Sequence, residues 1–335
     1  MLNRLKNRLN PFNRHQEPEQ PDLDVLIIGA GVSGICMASH LKRNKTFNNA
    51  YGKPFKHRRI ALVDKRSDIG GTWDLFRYPG VRSDSDMFTF GFAHRPWLSK
   101  KTMTDGESIK RYIKDTANAE DLMPYVRLST KVTELSWHDA DGFWTAQLTD
   151  INTGETDTLN ARFVVGATGY YDFEQGYRPR FKGEGDFKGE IIHPQQWTDA
   201  TDYDDKRIIV IGSGATAMTL VPALVNKDSQ QRAKHVTLLQ RSPTYVANMP
   251  SEDNSLHYLK RFTPLSEQTA YNLVRWKNIL TQQGLYKFSR VAPNAMKAVV
   301  NLGLSKDLKG KNHNGPRSLI DKKHFSPHYL SLIHI

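Results

Sequence analysis

The chain has 335 residues, with 47 Lys and Arg against 35 Asp and Glu, a single Cys and a formal net charge of +12. One cysteine excludes an internal disulfide, a cysteine cluster for a metal and a redox dithiol. The basic residues are spread along the chain and not clustered with aromatics, so we expect no nucleic-acid binding. No apolar run approaches the about 20 residues of a membrane-spanning helix, and we expect a cytoplasmic location.

Residues 1–22 form a basic leader that we expect to be a disordered tail. The segment "MLNRLKNRLNPFNRHQEPEQPD" contains no continuous apolar stretch, which argues against a secretory signal. Its apolar residues recur at near-helical spacing between Arg and Lys, so weak peripheral binding to a membrane surface is the alternative. Pro11 interrupts that pattern and favours the disordered tail.

A strand, a glycine-rich loop and a helix follow this tail. "DVLII" (24–28) is typical of a buried parallel strand, and it leads into "GAGVSG" and a helical stretch, 35–43. The pattern predicts a dinucleotide-binding loop with its glycines at Gly29, Gly31 and Gly34. Such glycines allow a tight turn, close approach of a pyrophosphate and close packing of helix on strand.

The return strand of this unit, 59–64, ends in an acid after a long polar connection. The carboxylate of Asp64 can accept hydrogen bonds from ribose hydroxyls and would repel a 2′-phosphate. The first unit therefore predicts an adenine dinucleotide with a free ribose.

Residues 70–86, "GGTWDLFRYPGVRSDSD", follow this unit and are too polar for a buried strand. The Pro79-Gly80 pair also excludes a continuous helix. The next predicted elements are a helix near 107–119 and strands near 126–135, 144–148 and 163–167.

A second loop of the same kind, Gly212-x-Gly214-x-x-Ala217, follows the strand "RIIVIG" (207–212). Its return strand, 235–240, ends in Arg241 and Ser242 and not in an acid. A guanidinium and a hydroxyl suit a 2′-phosphate, so this unit predicts NADP; an ordinary surface arginine is the alternative.

Two dinucleotide units with different ribose preferences predict an α/β fold with two Rossmann-like domains, one for FAD and one for NADPH. The stretch 266–304 has helical periodicity and predicts a helical insertion in the second domain. The sequence has no Cys-x-x-x-x-Cys pair, which excludes flavin–dithiol chemistry. Electrons from NADPH would then pass through FAD to another acceptor, of which dioxygen is favoured.

Two further stretches resemble a known family. Gly70-Gly71-x-Trp73, Tyr78-Pro79-Gly80 and Asp84 resemble the long fingerprint of Baeyer–Villiger monooxygenases, and "FKGEIIHPQQW" (187–197) resembles their short fingerprint. Thr198 before Asp199 departs slightly from that pattern. Trp197 favours this family over ordinary flavin-containing monooxygenases. The likeness covers about 23–329 and is strongest to the ethionamide-activating branch.

The resemblance implies that NADPH reduces FAD and that a C4a-peroxyflavin inserts one oxygen atom from O2 next to a ketone carbonyl, giving an ester or lactone. It also implies S-oxygenation of sulfur compounds. The alternatives are an N- or S-oxygenating flavin monooxygenase and a nucleotide-binding fragment without turnover. Partners would be a small ketone or sulfur compound and O2, and no metal site is expected.

The resemblance also implies which residues bind the cofactors. For FAD they are Ser33, Asp64, Lys65, Gly71, Thr72, Trp73, Asp74, Leu75, Tyr78, Asp84 and the Val132 backbone. For NADP they are Arg82, Ser83, Gly212, Ser213, Gly214, Ala215, Thr216, Ala217, Arg241 and Ser242. Trp73 and Tyr78 have a second interpretation as core aromatics. Asp84 would be catalytic by orienting an arginine, and Asp86 is a solvated or capping acid.

These inferences give the expected domain organisation. It comprises a tail (1–22), the N-terminal part of the FAD domain (23–170), a linker with the short fingerprint (171–205), an NADPH domain with its helical insertion (206–329) and a non-native tail (330–335). In the family a segment carrying the catalytic arginine follows the position of Tyr329. Here "LSLIHI" follows, which is the peptide that the mosaic end of a sequencing transposon would encode; a natural divergent terminus is the alternative. We therefore expect a C-terminally truncated, inactive copy.

Overall fold

The computed structural model describes residues 21–43, 59–241 and 250–308, and these form two compact units. The first unit contains the described residues up to Leu75 together with Lys110–Glu174. The second contains Phe76–Ile109 and the described residues from Gln175 onward. The predictions for the N-terminal tail, for Ser242 and for the segment 309–335 lie outside the described residues.

The first unit is built on a mixed sheet of six strands within the described residues, in the order β5-β2-β1-β8-β7-β6. The strands are β1 (Leu23–Ile28), β2 (Ile60–Val63), β5 (Val126–Arg127), β6 (Thr130–His138), β7 (Phe143–Asp150) and β8 (Thr156–Gly166). Strands β5, β2, β1 and β8 are parallel, whereas β8, β7 and β6 form an antiparallel meander. The parallel order is that of a dinucleotide-binding half.

The helices of the first unit are α1 (Val32–Arg43), the short α2 (Thr72–Leu75) and most of α4 (Gly106–Ala119). Helix α1 is the crossover between β1 and β2, and its Ile35 and Ala38 are fully buried. Strand β2 and the Val25–Ile28 part of β1 are apolar, as expected where both faces of a parallel sheet are covered. The predicted strand–loop–helix–strand unit is confirmed.

The second unit contains a parallel pair, β9 (Arg207–Ile211) and β10 (His235–Leu239), joined through α5 (Ala215–Leu224). Its core combines Val210, Leu220 and Leu224 with Tyr78, which arrives from the segment after α2. A short antiparallel pair, β3 (Arg82–Ser83) and β4 (Thr104–Asp105), was not predicted, because two-residue strands carry no periodicity.

The remaining helices of the second unit are α3 (Met87–Phe90), α6 (Ser255–Phe262), α7 (Glu267–Val291) and α8 (Pro293–Leu308). The helical insertion predicted over 266–304 is thus present and is broken before Pro293. Among the described residues, no helix combines the length and the hydropathy that crossing a membrane requires.

Candidate functional site

The first glycine-rich loop joins β1 to α1, and two of its glycines are required by backbone contacts. Gly29 has φ +110°, and a Cβ there would lie 2.4 Å from the carbonyl oxygen of Ala167. A Cβ on Gly34 would lie 1.8 Å from the carbonyl oxygen of Gly29. Helix α1 therefore begins directly against the end of β1, with its N-terminal N–H groups beside the loop.

The acid after β2 holds this loop. Oδ2 of Asp64 accepts a hydrogen bond from the Ala30 N–H at 2.7 Å, and Oδ1 accepts one from the Arg66 N–H at 2.9 Å. The carboxylate predicted to meet a ribose thus also fixes the loop that would receive the pyrophosphate. A carboxylate oxygen has more than one lone pair, so these bonds leave acceptor capacity for ribose hydroxyls.

The Gly70–Leu75 segment packs directly on the loop. Gly70 N–H donates to the Ala30 carbonyl at 3.1 Å. A Cβ on Gly71, whose φ is +58°, would lie 3.0 Å from Gly31 Cα. The first residues of the long fingerprint and the first glycine-rich loop are therefore in backbone contact within one unit, and α2 follows at once.

Asp74 in α2 is buried and forms ion pairs with Arg66 and Lys110. Arg66 Nε donates to its Oδ2 at 2.5 Å, and Lys110 Nζ from α4 lies 2.7 Å from its Oδ1. Lys110 also lies 2.9 Å from Oδ2 of Asp68, as does Lys114. The side chain of Asp74, predicted to contact FAD, is thus engaged in ion pairs inside the protein. Neither Arg66 nor Lys110 belongs to a motif, and sequence reasoning missed both.

This network sets the ionisation of its members. Burial would raise the pKa of Asp68, but hydrogen bonds from Lys110 and Lys114 outweigh it and lower the pKa to about 2. Burial would lower the pKa of Lys110, but its bonds to Asp74 and Asp68 raise it above its ordinary value. Both groups are charged throughout the neutral range.

The other predicted FAD residues of the first unit surround the loop to different degrees. Ser33 is exposed in the first turn of α1. Lys65 lies 3.4 Å from Oε1 of Glu174, with its ammonium over the Phe173 ring. Val132 lies at a register shift of β6, the kind of irregularity that often marks a functional edge. Thr72, Trp73 and Leu75 are partly buried.

In the second glycine-rich loop, the backbone requires the first glycine but not the second. Gly212 needs its glycine because φ is +126°, but Gly214 has an unstrained φ of −76°. A Cβ on Gly214 would meet no atom within 4 Å. The loop leads into α5, where Ala215 is exposed, Thr216 half-buried and Ala217 part of the core. Arg241 is exposed beyond the end of β10.

The rest of the long fingerprint belongs to the second unit. Tyr78 is a buried core residue there, which supports its alternative interpretation as a core aromatic. Gly80, with φ +79°, packs on α5, because a Cβ there would lie 2.5 Å from the Thr219 carbonyl oxygen. Asp84 accepts from Arg82 Nε at 2.9 Å, and both are partly exposed. Ser83 is buried, and its hydroxyl accepts from the Ser85 N–H.

The segment after Asp84 is held by hydrogen bonds from side chains of α7. Sequence reasoning did not predict these contacts. Asp86 is the N-cap of α3 and accepts from the Phe88 N–H, so its interpretation as a capping acid is confirmed. Nη1 of Arg275 donates to the carbonyls of Phe88 and Gly91 at 2.7 and 2.8 Å. The buried Tyr271 hydroxyl donates to the Phe88 carbonyl at 3.2 Å. These bonds satisfy carbonyls at the end of α3.

Two glycine-rich strand–loop–helix units are typical of a dinucleotide-binding protein. Residues 27–100 match the NAD(P)-binding Rossmann-like domain, and residues 99–277 match the flavin-binding monooxygenase-like family. The chain belongs to the flavin-binding monooxygenase-like family.

Individual relatives agree with this family. The chain is 43% identical over 307 residues to the FAD-containing monooxygenase EthA of Mycobacterium tuberculosis, covering 92% of this chain and 58% of that protein. It is 41% identical over 310 residues to the probable FAD-binding monooxygenase AlmA of an Acinetobacter species, covering 92% and 57%. The chain therefore spans somewhat more than half the length of these relatives.

The solved structure of OTEMO in complex with FAD and NADP is also similar. It matches with a TM-score of 0.60 and 25% identity over 76% of this chain and 45% of that chain. The relationship to FAD-containing monooxygenases and to Baeyer–Villiger monooxygenases, inferred from the fingerprints, is confirmed.

Proposed function

We propose that this chain binds FAD at its first glycine-rich loop and NADP(H) at its second, as part of a Baeyer–Villiger monooxygenase. The observation that carries the proposal is the contrast between the two return strands. The first ends in Asp64, which is bonded to its own loop, and the second ends in the exposed Arg241. A carboxylate selects a free ribose, and a guanidinium suits a 2′-phosphate.

The residues of the first unit fit FAD. Gly29 and Gly34 allow the loop to pack directly against the end of β1 and the N-terminus of α1, where a pyrophosphate is favoured by free N–H groups and the helix dipole. Asp64 would accept ribose hydroxyls. Ser33, Lys65, the 71–75 segment and the Val132 backbone are proposed to complete the FAD site.

The residues of the second unit fit NADP(H). Neither strain nor packing explains the glycine at 214, since its φ is ordinary and a Cβ would meet open space. Close approach of a pyrophosphate would explain it. Ser213, Ala215, Thr216 and Ala217 then form the first turn at the phosphates, and Arg241 is proposed to hold the 2′-phosphate.

FAD, when bound and reduced by NADPH, supplies the activation of dioxygen, one atom of which would enter the substrate. The chain's own contribution is electrostatic. Asp84 is proposed to orient a cation beside the reacting oxygen, and within the described residues Arg82 donates to it. Arg82 and Ser83 are also proposed to contact NADP. A ketone giving an ester is the favoured substrate class, with oxidation of sulfur compounds as a second activity.

Binding and turnover test different parts of the proposal. The chain is loaded with FAD, and binding of NADP⁺ and NAD⁺ is measured by calorimetry. Arg241→Ala should weaken NADP⁺ binding by at least about tenfold and leave NAD⁺ binding unchanged. Equal loss for both nucleotides would refute the 2′-phosphate role. Asp64→Ala should weaken FAD binding and leave NADP⁺ binding unchanged.

Turnover is followed as NADPH oxidation and oxygen consumption with a cyclic ketone and with a sulfide, and the products are identified. An ester or lactone supports the Baeyer–Villiger assignment, and a sulfoxide alone supports the S-oxygenating alternative. Binding of both nucleotides without turnover supports a non-catalytic nucleotide-binding chain.

A further inference from the structure

Hydrogen bonds, together with the peptide bond between Gly70 and Gly71, form a closed ring that joins the first glycine-rich loop to the Gly70–Leu75 segment. Asp64 accepts from Ala30 N–H, and the Ala30 carbonyl accepts from Gly70 N–H. The Gly71 carbonyl accepts from the Asp74 N–H at 3.1 Å, and the Asp74 carboxylate accepts from Arg66 Nε. The Arg66 N–H donates back to Asp64, which closes the ring.

Lys110 is bonded to this ring through Asp74. Its side chain is 12% exposed, and its ammonium bonds Asp74 on one side and Asp68 on the other. Its Cγ would lie 3.2 Å from a Cβ on Gly70, so its stem also packs against the glycine pair. The Asp74 side chain is 4% exposed, and a carboxylate this buried needs both of its cations.

We propose that Lys110 is a positioning residue for FAD, acting through Asp74 to hold Gly70–Gly71 against Gly31 and so to preform the pyrophosphate loop. The inference rests on the proposed function. Without Lys110, the Oδ1 atom of Asp74 would lose this ion pair, and the carboxylate would rotate or draw in water. The Gly71–Gly31 contact would then loosen on the side that a pyrophosphate approaches.

Helix α4 provides a matched control. Lys114 is one turn beyond Lys110 and also bonds Asp68, whereas the ion pair to Asp74 is made by Lys110. Removing Lys114 therefore removes a comparable surface ion pair without touching the ring. Lys110→Met should weaken FAD binding by about tenfold or more, by analogy with the loss seen when residues that orient metal ligands are removed. Lys114→Met should leave FAD affinity within about twofold.

The experiment measures FAD dissociation constants by flavin fluorescence for the whole chain. Each variant is also measured for NADP⁺ affinity and thermal midpoint. Lys110→Arg, which keeps a cation, should recover most of the affinity. Asp74→Asn, which keeps the shape but removes the charge, should behave like Lys110→Met. NADP⁺ affinity should stay unchanged in every variant, because the second loop belongs to the other unit.

The outcomes separate the inference from the proposed function. Wild-type protein that does not bind FAD overturns the proposed function and, with it, the inference. Wild-type binding with unchanged affinity in both Lys110→Met and Asp74→Asn overturns the inference alone. Equal losses in Lys110→Met and Lys114→Met would also overturn it, since the loss would then be a general effect on α4. If Lys110→Met does not fold, Asp74→Asn and Lys110→Arg decide.

Discussion

Gly34→Ala tests whether the first loop is fixed by direct contact between α1 and the end of β1. A Cβ at this position would lie 1.8 Å from the Gly29 carbonyl oxygen, about 1.6 Å short of the 3.4 Å where ordinary contact begins. Gly29 cannot yield easily, because its N–H donates to the Val63 carbonyl at 2.8 Å. Helix α1 would therefore have to move away from the sheet.

The magnitude follows from two opposing effects. Alanine favours a helix over glycine by about 1 kcal/mol, while overpacking against a fixed backbone costs about 3 kcal/mol at the upper end of its usual range. We expect a net loss of about 2 kcal/mol and a thermal midpoint lower by roughly 4–8 °C. FAD affinity should fall as well, because the loop moves with the helix.

Circular dichroism melting and flavin fluorescence provide the assay, and Gly284→Ala provides the control. Gly284 lies inside α7, and a Cβ there would meet no atom within 4 Å. Alanine at 284 should therefore stabilise the protein by about 0.5–1 kcal/mol. If Gly34→Ala also raises the thermal midpoint and binds FAD like the wild type, the contact argument is wrong.

Three further predictions concern the second unit and the ion pairs. Gly214→Ala should change stability by less than about 1 kcal/mol, yet weaken NADP⁺ binding by at least about tenfold; unchanged binding in calorimetry would contradict it. Arg275→Met should cost about 1.5–3 kcal/mol in chemical denaturation and Tyr271→Phe only about 1 kcal/mol, since the charged Arg275 bonds two carbonyls at 2.7 and 2.8 Å while the neutral Tyr271 hydroxyl bonds at 3.2 and 3.4 Å; equal losses would contradict this ranking. The pKa values of Asp68 and Asp253 are lowered to about 2, so their stabilisation is present above about pH 4 and lost as the pH falls toward 2. Acid titration monitored by circular dichroism should show this loss, and Asp68→Asn should reduce it.

Sequence patterns predicted the elements that are long or flanked by glycine. The two strand–loop–helix units, α4 and the helical insertion all carry periodicity or a punctuating glycine, and the structure contains them. The predicted strand over 126–135 is two strands, β5 and β6, because Ser129 adopts a positive φ of 51° between them. No local pattern signals such a break.

Residues 76–109 mark the limit of local reasoning about domains. Their chain position placed them with the first unit, but they cluster with the second. Tyr78 and Gly80 pack against α5, and Arg275 holds the end of α3. These contacts join residues far apart in sequence, so neither spacing nor composition predicts them. The same holds for Lys110, whose partner Asp74 lies on a different helix.

The glycines of the two loops do not all have the same physical cause, although the first glycine of each loop, Gly29 and Gly212, adopts a positive φ of +110° and +126°. In the first loop, Gly29 and Gly34 are required by the protein's own backbone, so a substitution there must affect folding before it affects binding. In the second loop, neither strain nor packing requires Gly214, so a substitution there should affect binding alone. A glycine motif in a sequence does not show which of these two requirements applies to each glycine. Measuring both stability and nucleotide affinity for Gly34→Ala and Gly214→Ala separates the two requirements. Replacing a glycine that is needed only for a ligand lowers the affinity of the protein while its stability stays near that of the wild type.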